Sequence, residues 1–369
     1  MRYLLFIPLG GWRFMQSNAP YDNQLTSASG SRPHAIVWHA GTAILALALL
    51  AGCGSDSSTN PNGAGYTTPT MPLSPDIGTM TGTIVNGARE FHVTASAFTQ
   101  QIATFPVKTA TVWGYNGSTP GPTAISYEGE KIRFLVTNNL SEATTVHFHG
   151  MHAPNGDDGV AGVSQMDLIQ PGQTYTYEFT PGHAGFFAYH AHANSAVQEL
   201  RGLDGMFVVL PKQEKLSDHV DRDYLFTLQS FFFVSENQLV VPFPPGTGDF
   251  DFHTMNGKTR DAATELPAKV GETIRIRFYN ASQLDHSMHL HGFDMTIVSQ
   301  NGHDRPVDGR YAVTTVDEGP GNFFEVTFKP DKPGKWLFHC HFPHHTANMM
   351  MDGPDGSPVG MSRVFNVTM

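Results

Sequence analysis

The densest group of metal-binding side chains lies near the C-terminal end, in the segment His339-Cys340-His341 with His345 and Met350 downstream. A thiolate, two imidazoles and a weak axial thioether are the ligands of blue, electron-transfer copper, so this segment needs one more histidine from elsewhere. Successive side chains of a strand point to opposite faces. His339 and His341 therefore point away from Cys340, and they predict a second metal centre on the far side of the backbone.

Further histidines occur in the same His-x-His spacing elsewhere in the chain. These pairs, and a single histidine just before the last of them, are His147/His149, His190/His192, His289/His291 and His286. One such pair is weak evidence, because most isolated histidines are only solvated or hydrogen-bonded. Four pairs together with the Cys-His-Met pattern indicate copper, which imidazole suits, and His286 then completes the blue site.

Composition limits the fold and the partners. The chain has 369 residues, enough for two domains, and its 15% of charged residues with 37 Gly and 25 Pro favours an all-β, loop-rich protein. The formal net charge of −11 argues against nucleic acid as a partner, and no basic run reverses this. The two cysteines, Cys53 and Cys340, lie in unrelated contexts, so we expect no disulfide between them.

The N-terminal region predicts export. An apolar run too short to span a bilayer ends at Cys53, with small residues just before it, as in a secretory signal. The sequence Leu-Ala-Gly-Cys at residues 50–53 resembles the bacterial lipoprotein signal, which implies cleavage before Cys53 and lipidation of its thiol; a plain signal peptide is the alternative. Residues 1–53 are expected to form this leader, and residues 54–80, rich in Ser, Asn, Pro, Thr and Gly, a flexible tether.

An internal repeat defines the rest of the chain. Residues 128–150 align without a gap with 270–292, and residues 171–192 align with 320–341. Each copy places an alternating apolar strand before its first histidine pair. The sequence therefore predicts two tandem copies of one Greek-key β-sandwich, domain 1 over residues 81–211 and domain 2 over residues 212–369.

The two copies differ at the blue-copper ligands. The residues of domain 1 that stand opposite His286, Cys340, His345 and Met350 are Thr144, Ala191, Ala196 and Arg201. All four ligands are thus missing from domain 1, although both domains keep two His-x-His pairs. We expect domain 2 alone to accept electrons, and both domains to contribute to a shared cluster.

These motifs resemble those of the multicopper oxidases, and the two-domain layout resembles the small laccase-type enzymes, over about residues 80–369. The resemblance implies cupredoxin-like domains and four coppers per subunit, with O₂ reduced to water. It assigns His286, Cys340, His345 and Met350 to the type 1 copper and His147 and His289 to the type 2 copper. The six type 3 ligands it implies are His149, His190, His192, His291, His339 and His341. Ser287 departs from the proline that is usual in the family after the first ligand.

The same resemblance implies roles and partners. Electrons from a small phenolic or aromatic reductant enter through His345, and Asp158, in an Asp-Gly step after the first histidine pair, relays protons; an Asx turn is the alternative for Asp158. The family arrangement predicts a homotrimer with each copper cluster shared between chains. The expected location is exported, periplasmic or at the cell surface, with a lipid anchor at Cys53.

Other copper proteins share parts of this pattern. A cuprous or other metal-ion oxidase is the main alternative, whereas a copper nitrite reductase would carry its type 1 cysteine in domain 1, where this chain has Ala191.

The three methionines Met349, Met351 and Met361 are interpreted as packing near the copper. The histidines without a partner at ligand spacing are interpreted as surface or core residues: His92, His152, His183, His219, His253, His303 and His344.

Overall fold

The computed structural model of the chain describes residues 65–233 and 250–369. The predicted leader, the predicted lipidation site Cys53 and the first part of the predicted tether lie outside these residues. Within the described ranges the chain is almost entirely β-strand, with one short α-helix and single turns of 3₁₀ helix. None of the described helices is long and apolar enough to cross a bilayer.

The strands up to residue 215 are short at first and then form a long hairpin and a set of core strands. They are β1 Tyr66–Thr67, β2 Thr79–Met80, β3 Thr83–Val85, β4 Ala88–Thr104, β5 Val107–Tyr115, β6 Gly121–Tyr127, β7 Ile132–Asn138, β8 Val146–His149, β9 Thr174–Phe179, β10 Gly185–Ala191, β11 Asp204–Leu210 and β12 Glu214–Lys215. The helix α1 covers Ser195–Gln198, and a 3₁₀ turn covers Asn155–Asp157.

The remaining strands repeat this plan. They are β13 Arg222–Phe231, β14 Phe252–Met255, β15 Leu266–Lys269, β16 Ile274–Asn280, β17 His286–Leu290, β18 Met295–Gln300, β19 His303–Asp304, β20 Tyr311–Val313, β21 Thr315–Glu318, β22 Phe323–Phe328, β23 Gly334–Cys340 and β24 Ser362–Thr368. The 3₁₀ turns of this half are Arg260–Ala262, Val307–Gly309 and Pro343–Thr346.

The strands pair into two β-sandwiches. The first sandwich has sheets in the order β2-β6-β11-β10-β8 and β3-β4-β7-β9, with β5 on β4. The second has β14-β13-β16-β22-β18-β19, with β20 on β18, and β15-β24-β23-β17-β21. The prediction of an all-β protein with two tandem cupredoxin-like sandwiches is confirmed, while the limits 81–211 and 212–369 stay predictions.

Each sandwich encloses its own aromatic core. Alternate residues of β7 and β16 point inward, because side chains on a strand alternate between its two faces. Phe134 of β7 packs against Phe148 and Phe207 in the first core, and Phe278 of β16 packs against Phe338 in the second.

A third cluster joins the sandwiches. Strand β11 is buried on both faces, and it therefore reads as the continuous apolar run Met-Phe-Val-Val-Leu at residues 206–210 instead of an alternating pattern. Phe207 and Val209 belong to the first core, whereas Met206 and Val208 pack against residues such as Phe323 of the second sandwich. The two sandwiches thus share apolar surface, and their relative position is fixed by packing.

The long β4–β5 hairpin of the first sandwich reaches over to the second. The carboxylate of Asp261 accepts hydrogen bonds from the amides of Thr104 and Phe105 at the hairpin tip. Asn348 donates to the carbonyl of Phe105 at 2.7 Å and to Asp261 at 3.2 Å. The loop that follows β23 is therefore tied to the hairpin tip.

Residues 65–80 differ from the expected tether. The amide of Leu73 donates to the carbonyl of Asp223, and Ser74 is buried, with its hydroxyl 2.6 Å from that of Thr123. Asp76 accepts a hydrogen bond from Arg363 of the second sandwich at 2.6 Å. The polar composition that suggested flexibility instead supplies hydrogen-bonding groups for both sandwiches, which sequence composition alone does not distinguish.

Replacing Asp76 tests this contact. The Arg363 side chain is fully buried, so Asp76→Ala leaves a buried guanidinium without its counter-ion. We expect the free energy of unfolding to fall by about 3–5 kcal/mol, measured by urea denaturation of the copper-free protein. Glu265→Ala, which removes the partner of Lys335 in an exposed pair, is the control and should cost at most about 1 kcal/mol. Equal effects of the two variants would contradict the structural role of Asp76.

Candidate metal centres

A buried group of three side chains, which we call the thiolate trio, lies in the second sandwich: His286, Cys340 and His345. His286 begins β17, Cys340 ends the paired strand β23, and His345 lies in the 3₁₀ turn that follows. The Cys340 Sγ atom is 3.3 Å from Nδ1 of His345 and 3.7 Å from Nδ1 of His286, and the two Nδ1 atoms are 3.1 Å apart. The donor atoms therefore converge on one point, as a metal ion requires.

The surroundings of the trio keep the His286 imidazole neutral and fix its orientation. Burial, reinforced by the nearby His345 ring, lowers the pKa of His286 well below its ordinary value. The hydroxyl of Ser282 lies 2.9 Å from Nε2 of His286, which leaves Nδ1 for the metal side. Metal binding needs an unprotonated imidazole, so the site is prepared for an ion.

His253 also contributes to this site, and sequence spacing did not reveal it. Its ring stacks on that of His345, with centroids 3.8 Å apart and an interplanar angle of 21°. His253 lies on β14, and its Nδ1 is 2.9 Å from the hydroxyl of Ser230. Because it comes from a different sheet and has no histidine neighbour in the chain, only the fold places it here.

The methionine expected as the fourth ligand beside the trio, Met350, lies elsewhere. Met350 is 78% exposed and lies in a turn with its backbone at φ 62°, so its side chain does not join the buried trio. Met361 is fully buried in the same apolar cluster as Cys340. Its amide donates to the carbonyl of His345 at 2.8 Å, and its carbonyl accepts from the amide of Cys340 at 3.1 Å. The backbone of Met361 is thus hydrogen-bonded to both ligand residues, and its side chain is buried in the core that contains Cys340.

The first sandwich holds four histidines, which we call the first quartet: His147 and His149 on β8, His190 on β10, and His192 just after it. His147 and His190 are directly paired across the two strands. The ligand nitrogens of His147, His149 and His190 all lie within 4.8 Å of one another, and the His192 ring is 5.4 Å from that of His147.

The second sandwich holds the matching second quartet: His289, His291, His339 and His341. His289 and His339 are paired across β17 and β23, as His147 and His190 are in the first sandwich. The Nε2 atoms of His291 and His339 are 3.0 Å apart, and the His341 ring is 5.3 Å from that of His289. His339 and His341 leave the strand on the side opposite to Cys340, as the alternation predicted.

Backbone carbonyls fix the orientation of several quartet rings. The Nδ1 atoms of His147, His289 and His339 each lie 2.7 Å from a carbonyl oxygen, of Asp158, Thr314 and Cys340 respectively. A ring that donates from Nδ1 presents an unprotonated Nε2, which is the form that binds metal.

Burial and crowding favour the neutral imidazoles. Burial, followed by the nearby His190 and His147 rings, lowers the pKa of His149 to about 4. Burial likewise lowers the pKa of His339 to about 4. For His190 burial acts in the same direction, but the Glu199 carboxylate, 3.4 Å from its Nδ1, raises the pKa above the ordinary value. The donor set of imidazoles and one thiolate fits copper.

The two quartets do not meet within the chain. No ring contact joins a member of the first quartet to a member of the second within residues 65–233 and 250–369. The first quartet faces other parts of the second sandwich, with the His149 ring 5.4 Å from that of Phe323. In the second quartet His291 and His341 are exposed to solvent.

Asp158 lies beside the first quartet. Its carboxylate is 3.4 Å from Nδ1 of His147, and its side chain is 33% exposed. The following residue must be glycine, because a Cβ on Gly159, at φ 77°, would lie 1.8 Å from the carbonyl oxygen of Val146. This close approach brings the Asp158 carbonyl and carboxylate to His147.

Two family models, each described as multicopper oxidase, match residues 97–214 and 238–353. The chain therefore belongs to the multicopper oxidase family. A solved structure, Multicopper Oxidase mgLAC, is 31% identical with a TM-score of 0.66, covering 75% of this chain and 86% of that chain.

Curated relatives give the same family under different names. The copper resistance protein A homolog of Pseudomonas syringae pv. tomato is 28% identical over 60% of this chain and 45% of its own length. Laccase-11 of Arabidopsis thaliana is 28% identical over 64% of this chain and 44% of its own length. The chain thus spans under half the length of these relatives.

The contrast between the two methionines predicts different spectroscopic outcomes. Met361→Leu should raise the reduction potential of the blue site and alter its absorption, because it removes the buried thioether that we propose as the axial ligand. Met350→Leu, the matched control, should change neither property. Such a volume-conserving swap costs less than about 1.5 kcal/mol, so both variants should fold. Redox titration followed at the blue band measures the effect, and the reverse pattern would restore Met350 as the ligand.

Proposed function

We propose that this protein is a laccase-like oxidase that couples one-electron oxidation of phenolic or aromatic reductants to the four-electron reduction of O₂ to water. One observation carries the proposal: the end of strand β23 presents Cys340 to a buried trio on one side, and His339 and the next residue after the strand, His341, to the second quartet on the other. Covalent bonds along three consecutive residues thus connect a one-electron site to a multi-histidine site.

The residues divide the work as follows. The thiolate trio with Met361 would hold one copper ion, and the two quartets would hold three. When bound, copper supplies one-electron transfer at the trio and O₂ reduction at the quartets. His147 and His289, each fixed through Nδ1 by a carbonyl oxygen, are the proposed type 2 ligands, and the other six quartet histidines are the proposed type 3 ligands.

The reductant would approach above His345, but the ring itself is covered. His345 is 2% exposed, while Phe342 is 39% exposed with its ring 5.1 Å from that of His345. The His344 ring packs against the His345 ring, with centroids 4.4 Å apart. An aromatic substrate would therefore meet Phe342 and His344, and His345 would pass the electron inward.

Asp158 is the proposed proton relay to the first quartet. Its carboxylate is partly exposed and lies 3.4 Å from His147, so it can exchange protons with solvent and hold them next to the site of O₂ reduction.

Oxidation of cuprous ion is the second candidate. Met349, Met350 and Met351 are 51%, 78% and 43% exposed on the turn that follows the His345 turn, and thioethers are soft ligands suited to Cu(I). The resemblance to a copper resistance protein A homolog agrees with this candidate. Oxygen uptake with phenols, aromatic amines and Cu(I) as separate reductants decides between the two.

We also propose that the protein is exported and held at a membrane by lipid on Cys53. The lipoprotein-like signal at residues 50–53 supports this, although it falls outside the described residues.

Replacing the thiolate tests the proposed function. Cys340→Ser should abolish the intense blue absorption and the oxidation of every reductant, while three coppers per chain remain, because no quartet residue changes. Cys53→Ser is the matched control and should keep the blue absorption, four coppers and full activity. Loss of all coppers from the folded Cys340→Ser protein would show that the trio and the quartets are not separate centres. A content of two coppers per wild-type chain would favour a nitrite reductase.

The separation of the quartets supports a homotrimer in which the first quartet of one chain faces the second quartet of the next. A ring of three chains closes such a head-to-tail contact. The exposed His291 and His341 would then be covered by the neighbouring chain.

Mixing two inactive subunits tests this arrangement. One carries His147→Ala with His149→Ala, and the other carries Cys340→Ser. Each mixed ring keeps one of its three sites intact, and random assembly makes mixed rings about three times in four, so roughly a quarter of wild-type activity should return. The control is to mix the two preparations without subunit exchange, which should give none. Zero activity in rings proven to be mixed would mean that each cluster forms within one chain.

A further inference from the structure

Three histidines outside the metal centres meet where the two sandwiches join, and we call them the bridging cluster: His152, His183 and His303. His152 and His183 belong to the first sandwich, and His303 belongs to β19 of the second. Their ring centroids are 5.0 Å apart for His183 and His303, 5.5 Å for His152 and His183, and 6.4 Å for His152 and His303.

The distances between ring centroids are similar to those in the first quartet, although the ligand nitrogens of the three rings do not all lie within 4.8 Å of one another. In the first quartet the rings of His147, His149 and His190 are 5.3–5.8 Å apart. The bridging rings differ in orientation, since His183 and His303 are nearly parallel, with 6° between their planes. His152 and His303 are exposed, so binding of an ion requires their rings to turn their nitrogens toward His183.

His183 already has the form of a metal ligand. Its Nε2 atom is buried and has no hydrogen-bond partner. The Gly302 carbonyl accepts a hydrogen bond from the ring, so the donor is Nδ1, and Nε2 carries a free lone pair. Burial, followed by His303 and His152, lowers the pKa of His183, which keeps the ring neutral. A buried nitrogen without a partner costs free energy that a bound cation would recover.

The backbone around the cluster is rigid. A Cβ on Gly185 would lie 2.8 Å from the carbonyl oxygen of Gly302, so the two sandwiches touch here through their main chains. The ring of Phe187 lies beneath, 5.3 Å from that of His183. The backbone segments that carry His183 and His303 are therefore held side by side by packing.

We propose that the bridging cluster binds one Zn²⁺ ion, distinct from the four catalytic coppers. Three imidazoles and a water complete the four-coordinate shell that Zn²⁺ adopts. Because its ligands come from both sandwiches, the ion ties them together within one chain. This role goes beyond the proposed oxidase function and does not depend on it.

The test uses protein loaded with no more copper than its catalytic sites hold, so that these sites are filled and the bridging cluster is left for zinc. It is equilibrated with Zn²⁺, freed of unbound metal and analysed for zinc and copper per chain. Wild type should gain about one zinc without losing copper, and His183→Gln and His303→Gln should gain none. His92→Gln is the matched control: it alters an exposed histidine that has no partner histidine at ligand spacing in the sequence, and it should bind zinc as wild type does.

A second readout is thermal. An ion that binds only the folded protein raises the unfolding midpoint, so Zn²⁺ should raise it for wild type and His92→Gln but not for His303→Gln. His303 is exposed, so its variant should fold even if His183→Gln does not. The proposal is overturned if wild type gains no zinc while keeping its copper, or if His303→Gln binds as much zinc as wild type. Neither result would change the blue absorption, which tests the oxidase proposal separately.

Discussion

The pairing of β17 with β23 is the constraint on which both candidate metal centres of the second sandwich depend. This antiparallel register sets Met288 opposite Cys340 and His289 opposite His339. One face of the pair then carries the buried thiolate trio, and the other carries the second quartet. A shift of one residue would exchange the faces, and it would bring Cys340 to the solvent side and the quartet into the core. The apolar side chains next to the ligands fix the register, because Met288 and Phe338 are fully buried.

The first sandwich keeps the same frame without the trio. Asn138 and Asn280, equivalent in the repeat, make the same bonds, each donating from Nδ2 to two nearby backbone carbonyl oxygens. Thr144 occupies the position of His286 and is buried, with its hydroxyl donating to Gln198 at 2.7 Å. An uncharged hydrogen-bonded pair thus occupies the place where the second sandwich carries a ligand of the thiolate trio. Both sandwiches therefore share one backbone frame, and the side chains that the strands carry decide whether it holds metal ligands.

Sequence reasoning reached the parts of the site that depend on strand periodicity. The His-x-His pairs lie on paired strands, and the repeat offsets recur in β7 and β16 and in β10 and β23. Sequence reasoning failed where the course of a loop decides the position of a side chain. Met350 has the expected spacing, but a turn with positive φ carries it to the surface, and Met361 returns to Cys340 only because β24 pairs with β23. His253 stacks on His345 from another sheet, and no spacing encodes that contact.

Exposure of the second quartet has a thermodynamic consequence under the proposed trimer. Metal ions that bind across two chains bind the assembled ring and not the free subunit, so copper would stabilise the ring by mass action. The trio carries no such coupling, because its ligands belong to one sandwich and are buried there. The blue site can therefore fill in a single chain, whereas completion of the O₂-reducing cluster waits for assembly. Electrons from the blue site would then reach a complete O₂-reducing cluster only in the finished ring.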